Sequence, residues 1–430
     1  MRTDFDAVII GAGPAGSTAA IVLARAGWSV ALVEKQSFPR RKVCGECIAA
    51  SNLPLIDALG IGAAFDAHAG PPIRQVAFMR GDDQVVADLP ASDHPGHRWG
   101  RAFGREQFDT LLLKRARAAG AVVLQPASVQ CVHGDAGDWH FRVRQMGANA
   151  DSALRARVAI AAHGSWEVLP SGRAARRLAR LPSDLFAFKA NFDHSTLPAG
   201  LLPVLSFDGG YGGMVVADRG LTTLACCIRA DRLDDARRRA PGTRAGDVVE
   251  QLLKRECLGV RQALNGATLQ GGWLSAGPID PGVRVRADDG MFRIGNAAGE
   301  AHPIIGEGMS MAMQSAWLLC ALLLDDPPRD VLLRASTQRD VARRYAQQWH
   351  RQFGLRLAVA GVFARVASGA ASASALMALA RFWPGLLTLG ARAAGKVAGP
   401  GGAIGDLSDG PGEPDPDSMG CNVTVGSRRL

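Results

Sequence analysis

The stretch Ile9-Ile10-Gly11-Ala12-Gly13-Pro14-Ala15-Gly16 limits most tightly what this chain can fold into. It follows an apolar run, Phe5 to Ile10, and opens a helix-like segment, Pro14 to Ala26, so the order is strand, turn, helix. Gly11 permits the tight turn, Gly13 lets a pyrophosphate approach the backbone without meeting a Cβ, and Gly16 lets the helix pack close on the strand. Pro14 and Ala15 complete the cradle, whose helix start offers free N–H groups to phosphates. A lone G-x-G-x-x-G is weak in a chain with 51 glycines, but the second strand, Trp28 to Val33, ends in Glu34 at the spacing that holds ribose hydroxyls.

The first helix presents Ala15, Ala19, Val22 and Leu23 on one face for a sheet, and Gly27 stands where it would stop. Strand, helix and strand make a right-handed parallel unit. A basic, cysteine-bearing loop follows, Phe38-Pro39-Arg40-Arg41-Lys42-Val43-Cys44-Gly45-Glu46-Cys47. Arg74 to Leu89 alternates like exposed strands, Arg105 to Ala119 is an amphipathic helix, and Ala156 to Ala162 reads as a buried parallel strand.

From about Asp184 the texture becomes β-rich, with runs at Phe186–Phe192, Val204–Phe207, Gly213–Ala217 and Leu221–Ile228. Met291 to Gly299 then returns to the nucleotide-binding pattern, so the middle sheet is an insertion. The expected fold class is α/β: a Rossmann-like domain in two parts, 1–183 and 281–330, an inserted, mostly antiparallel substrate sheet at 184–280, C-terminal helices at 331–398, and a disordered tail at 399–430 whose Gly, Pro and Asp cannot bury enough apolar surface to order.

The first cradle alone does not separate NAD from FAD. A second small-residue turn does, because Gly295-Asn296-Ala297-Ala298-Gly299, Pro303 and Gly306-Glu307-Gly308-Met309 set another helix N-terminus near a strand end. An extended FAD needs such a second anchor for its ribityl chain and flavin ring, and a helix N-terminus aimed at the ring stabilises negative charge on the reduced flavin. We therefore assign Gly295, Asn296, Pro303, Gly306, Gly308 and Met309 to the cofactor, together with Lys35, Arg41 and Lys42 from the basic loop.

These motifs resemble the geranylgeranyl-reductase-like branch of FAD-dependent oxidoreductases, related to the single-component flavoprotein aromatic monooxygenases and the flavin-dependent halogenases. The resemblance covers roughly residues 5 to 325 and rests on GAGPAG, on FPRRKVCGE at 38 to 46, on Arg105 with Phe108-Asp109, and on GNAAG with P-x-x-G-E-G-M at 295 to 309. It implies that Arg105 contacts the flavin nucleotide and that Asn296 stands where an aspartate usually bonds the ribityl hydroxyls. It also places Cys44 near the flavin and substrate, where a pocket-lining role and plain packing stay open. Cys47 is read as a small core residue. The chain departs from the hydroxylases at His163-Gly164-Ser165-Trp166, where those relatives carry Asp-Gly. No second G-x-G-x-x-G occurs, so electrons are expected from transiently bound NAD(P)H or a partner reductase.

Two chemistries compete: oxygen-dependent hydroxylation of an aromatic, polyketide-like or peptide-borne aromatic substrate, which is favoured, and reduction of carbon–carbon double bonds in a prenyl or related lipid. A FAD-holding module without turnover is a third reading. Halogenation is disfavoured because the Trp-x-Trp-x-Ile-Pro stretch is missing, Trp166 being the one tryptophan near the corresponding region. His302, just before Pro303, is a candidate proton donor or a packing residue. Cys44 and Cys47 form a CxxC without a second pair, so no metal site is expected.

The formal charge of +9 comes from arginine runs without aromatic interleaving or zinc spacing, which argues against a nucleic-acid partner. No charged and apolar leader precedes the first strand, and the eight cysteines lack regular spacing, so a cytoplasmic location with reduced thiols is expected. On one C-terminal helix Leu355, Val359, Val362 and Phe363 fall on a single face amid Arg351, Arg356 and Arg365, which suits a core cap or an interfacial helix peripheral to the inner membrane face. Oligomeric state has no sequence signal.

Overall fold

The computed structural model describes residues 2–148, 150–165, 180–325 and 334–393. Trp166 and the tail at 399–430 lie outside the described residues. The chain opens with β1 (Asp4–Ile10), α1 (Pro14–Arg25) and β2 (Val30–Val33), then β3 (Gln75–Arg80) and β4 (Asp83–Asp88). Next come α2 (Arg105–Ala118), β5 (Val122–Leu124), the hairpin β6 (Ala127–Asp135) and β7 (Asp138–Gln145), and β8 (Ser152–Ala161). β9 (Leu185–Asp193), β10 (Leu201–Phe207), β11 (Gly210–Val216), β12 (Thr222–Arg229) and β13 (Thr268–Ile279) follow. β14 (Phe292–Arg293) leads to α3 (Gly308–Leu324), and the described chain ends with α4 (Ala335–Ser368), α5 (Ala370–Phe382) and α6 (Gly385–Ala393).

The first sheet has the order β5-β2-β1-β8-β7-β6, with β14 beside β8. β1 runs parallel to both β2 and β8, pairing Ile10 with Val33 and with Ala161. Val8, Ile9, Val158 and Ile160 are wholly buried because helices cover one face and the β6–β7 hairpin side the other, which explains their continuous apolar sequence. Strands β1, β2 and β8 thus end together beside the Gly11–Gly16 turn.

The second sheet has the order β13-β9-β12-β11-β10-β3-β4 and is antiparallel except where β3 runs parallel to β10. Arg74 to Leu89 therefore differs from its sequence reading. Val76 to Met79 are buried, since β3 pairs with Leu201–Leu205 and is covered by α5 and α6; only β4 keeps a half-exposed pattern. The second sheet draws these two strands from before residue 184.

The α4 face also differs from the expected stripe. From Phe353 onward its buried positions are Phe353, Ala360, Ala364 and Ala367, Leu355 and Val362 are exposed at 72% and 53%, and Val359 and Phe363 line a cavity. Alanine contact with the second sheet fixed the rotation of α4, so the four larger residues are split between two faces.

Candidate functional site

Two cavities meet at the cradle. The first, of about 360 Å³, is bordered by Gly11, Glu34, Lys35, Arg40, Arg41 and Lys42. The second, of about 310 Å³, runs from Gly13, Pro14 and Ala15 between the two sheets to α6. Gly13, Lys42, Val43 and Ala162 border both, so a single extended ligand can pass from one to the other over Gly13.

The turn is built for this passage. Gly11 has φ +102°, and a Cβ there would lie 2.5 Å from the Ala162 carbonyl oxygen. A Cβ on Gly16 would lie 1.8 Å from the Gly11 carbonyl oxygen, so α1 packs on the turn only with glycine. Gly13 is different: its φ is −68°, and a Cβ would meet only the Arg105 Nη2 atom, at 3.8 Å. The protein itself makes little use of that space, which is the opening a pyrophosphate needs. Glu34 is buried at the end of β2 and accepts the Ala12 and Gln36 N–H groups, each at 2.9 Å.

A cluster of cations stands where the cavities join. Arg105 donates to both Asp109 oxygens at 2.7 Å; burial works against its charge, but the ion pair outweighs burial and raises its pKa. Lys42 is pushed down to about 8, first by burial and then by repulsion from Arg105 and Arg40. Arg40 lies 3.5 Å from Asp109 and stacks 4.7 Å over the Phe38 ring. Arg41 instead reaches across to the Gly271 and Gly272 carbonyls of β13, which accept from it and hold it at the rim.

The second glycine site closes the far side. Gly295, Asn296, Pro303, Gly306, Gly308 and Met309 all line the second cavity, with Met309 in the first turn of α3. Asn296 donates to Ser165 Oγ at 2.9 Å and points its amide toward Glu300, whose carboxyl is raised chiefly by burial. Gly295 has φ +60° and abuts Ala15, joining the two glycine sites.

Cys44 lines this cavity, beside Arg105, and accepts the Glu46 N–H at 3.4 Å. Cys47 is buried and borders the same space. His302 does not line the cavity; it stands behind Tyr211, which does, with Nδ1 3.1 Å from the phenol oxygen. Burial pushes the Tyr211 phenol well up and the His302 imidazolium down, so both are neutral near neutral pH. Tyr211 had no local signal beyond a tyrosine set among glycines in a strand.

One network escaped the sequence altogether. Glu46, at φ +61°, and Lys189 of β9 are each about 2% exposed and form an ion pair. Glu46 also accepts the Arg105 N–H at 2.9 Å and the Thr223 hydroxyl at 2.6 Å, so it ties the Lys42–Cys47 loop to the second sheet. The available signal was a lysine at an inward position of the Phe186–Phe192 run.

The family model described as FAD binding domain matches residues 4–348. The chain is similar to a tryptophan 2-halogenase of Chondromyces crocatus, 26% identical over 330 residues, which cover 73% of this chain and 60% of that protein. The chain thus spans less than two thirds of that relative's length. It is 25% identical over 370 residues to digeranylgeranylglycerophospholipid reductase 1 of Methanopyrus kandleri, covering 81% of this chain and 87% of the relative. In fold it is similar to PqsL, a probable FAD-dependent monooxygenase from Pseudomonas aeruginosa, with a TM-score of 0.67 at 19% identity over 85% of this chain and 97% of the other.

Proposed function

Because the chain belongs to the FAD binding domain family, we propose that this FAD-dependent oxidoreductase is a monooxygenase hydroxylating an aromatic, polyketide-like or peptide-borne aromatic substrate in the second cavity, between the two sheets. The observation that carries this reading is the make-up of that cavity, whose flavin-side groups face a mostly apolar sheet wall bearing the Tyr211–His302 pair. FAD bound across the two cavities supplies the two electrons and the reactivity toward oxygen. The chain's own residues do the rest. Phe78, Val204 and Ala225 exclude water from the reacting atoms, Lys42 and Arg105 offset negative charge on the reduced ring, and the Tyr211 hydroxyl orients a polar atom of the substrate. Electrons come from transiently bound NAD(P)H or a partner reductase.

A second reading is double-bond reduction in a prenyl or related lipid. It is favoured by the cavity's far end, where Val359, Phe363, Leu387 and Ala391 from the C-terminal helices extend the apolar lining, and by similarity to the Methanopyrus reductase over most of both chains. Oxidation of the anaerobically reduced protein by oxygen, in the presence of aromatic or polyprenyl compounds, separates the two. Hydroxylated product in step with oxygen consumed supports the monooxygenase; polyprenyl reduction without oxygen overturns it.

Two conservative variants test the wall. Tyr211→Phe keeps the ring and removes the hydroxyl that His302 orients, so FAD content should hold while the product-to-peroxide ratio falls roughly tenfold, the loss of about one hydrogen bond. Cys44→Ser should likewise keep FAD and shift coupling toward peroxide. Unchanged coupling in either variant removes that residue from the site.

A further inference from the structure

The corner where α5 meets α6 turns large apolar side chains outward. Leu379, Phe382, Trp383 and Leu389 are exposed, Phe382 at 91% and Trp383 at 52%. The fold does not need them, because α5 already packs Met377 and Ala380, and α6 Leu387 and Ala391, against Val76 and Phe78 of β3. Soluble surfaces scatter such residues singly; four within eleven positions of one helical corner form a patch.

The helical stretch that carries the patch has charge of one sign, with Asp83 and Asp88 of β4 beside it. From Val341 to Gly405 the chain carries no aspartate or glutamate, while Arg351, Arg365, Arg381 and Arg392 are exposed among the described helices. Arg381 reaches Asp83 of β4 at 3.0 Å, and no acidic residue of α4, α5 or α6 faces the other three. An apolar tip with tryptophan and phenylalanine, flanked on its own helices by Arg381 and Arg392, matches the boundary between acyl chains and anionic headgroups. The corner also adjoins the reaction chamber, since Leu387, Gly390 and Ala391 on the inner side of α6 line the second cavity.

We propose that the α5–α6 corner docks on an anionic lipid surface, and that apolar substrate enters the cavity from there past α6. The proposed contact lies on the bilayer: no single described helix is long and apolar enough to cross a membrane, and α4 and α5, which reach that length and composition only together, are bent by 102°. Docking stands apart from the reaction chemistry, so it holds or fails whichever of the two reactions the flavin performs.

The test is co-sedimentation of the FAD-loaded full chain with vesicles of phosphatidylcholine alone or mixed with phosphatidylglycerol. The expected result is binding to the mixed vesicles that salt weakens, and at least tenfold weaker binding by F382S/W383S, with flavin content and melting temperature unchanged. Arg392→Glu should weaken binding to mixed vesicles without touching the apolar tip. No binding of the parent protein to the anionic vesicles overturns the proposal, as does equal binding by F382S/W383S. A parent dimer in solution that F382S/W383S dissociates also overturns it, because a second copy of the chain would then cover the patch.

Discussion

Gly13→Val is expected to fold and to lose FAD. The backbone at Gly13 has φ −68°, a value that any residue adopts, and an added Cβ meets only the tip of the Arg105 side chain at 3.8 Å. Nothing in the protein resists the substitution, whereas the valine methyls would fill the passage between the two cavities. Affinity for FAD should fall at least ~100-fold, a loss of roughly 2.7 kcal/mol, with the melting temperature of the flavin-free protein close to that of the parent stripped of flavin. Gly16→Val makes the contrast, because its Cβ falls 1.8 Å from the Gly11 carbonyl oxygen and must disturb the turn itself. Flavin content and melting curves on these two variants distinguish ligand space from packing space, and full flavin content in Gly13→Val would contradict the cradle assignment.

Lys189→Met should be the most destabilising single change in the second sheet. It leaves the Glu46 carboxylate buried with the Arg105 N–H and the Thr223 hydroxyl but without its cation. Removing one partner of a buried pair costs about 3–5 kcal/mol, because the remaining charge keeps its desolvation penalty. Combining Lys189→Met with Glu46→Gln removes both charges and should recover a large part of the loss, since replacing a whole buried pair by neutral groups of similar volume is close to neutral. Equilibrium unfolding in urea of the parent, both single variants and the double variant measures the coupling. Additive losses would show that the two side chains act independently.

What could be read from the residues was what short-range pattern encodes. The cradle, the buried strand β8 and the helix α3 each announce themselves within one turn or one strand, and all three stand where the pattern put them. The parallel pairing of β3 with β10 joins segments far apart in sequence, so alternation at Arg74–Leu89 carried no sign that Val76 to Met79 would be covered. The face of the second half of α4 differs for a related reason: Ala360, Ala364 and Ala367, which make close contacts with the second sheet, are buried there in place of Leu355 and Val362. Within the site, glycine motifs marked the backbone that must be bare, whereas side-chain partnerships did not show. His302 was visible before a proline, but its partner Tyr211 lies on another sheet, and Glu46 finds Lys189 and Thr223 only after the two sheets come together.

The proposed oxygen-dependent hydroxylation of an aromatic substrate is tested most directly by a single turnover under isotopically labelled dioxygen. The reduced, FAD-loaded protein is mixed with substrate and labelled oxygen, and product mass is read. The account predicts one labelled oxygen atom per hydroxylated product and a fall in that yield, with peroxide in its place, for Tyr211→Phe. Product that carries no label, or that has gained two hydrogens in a double bond without oxygen, would contradict it.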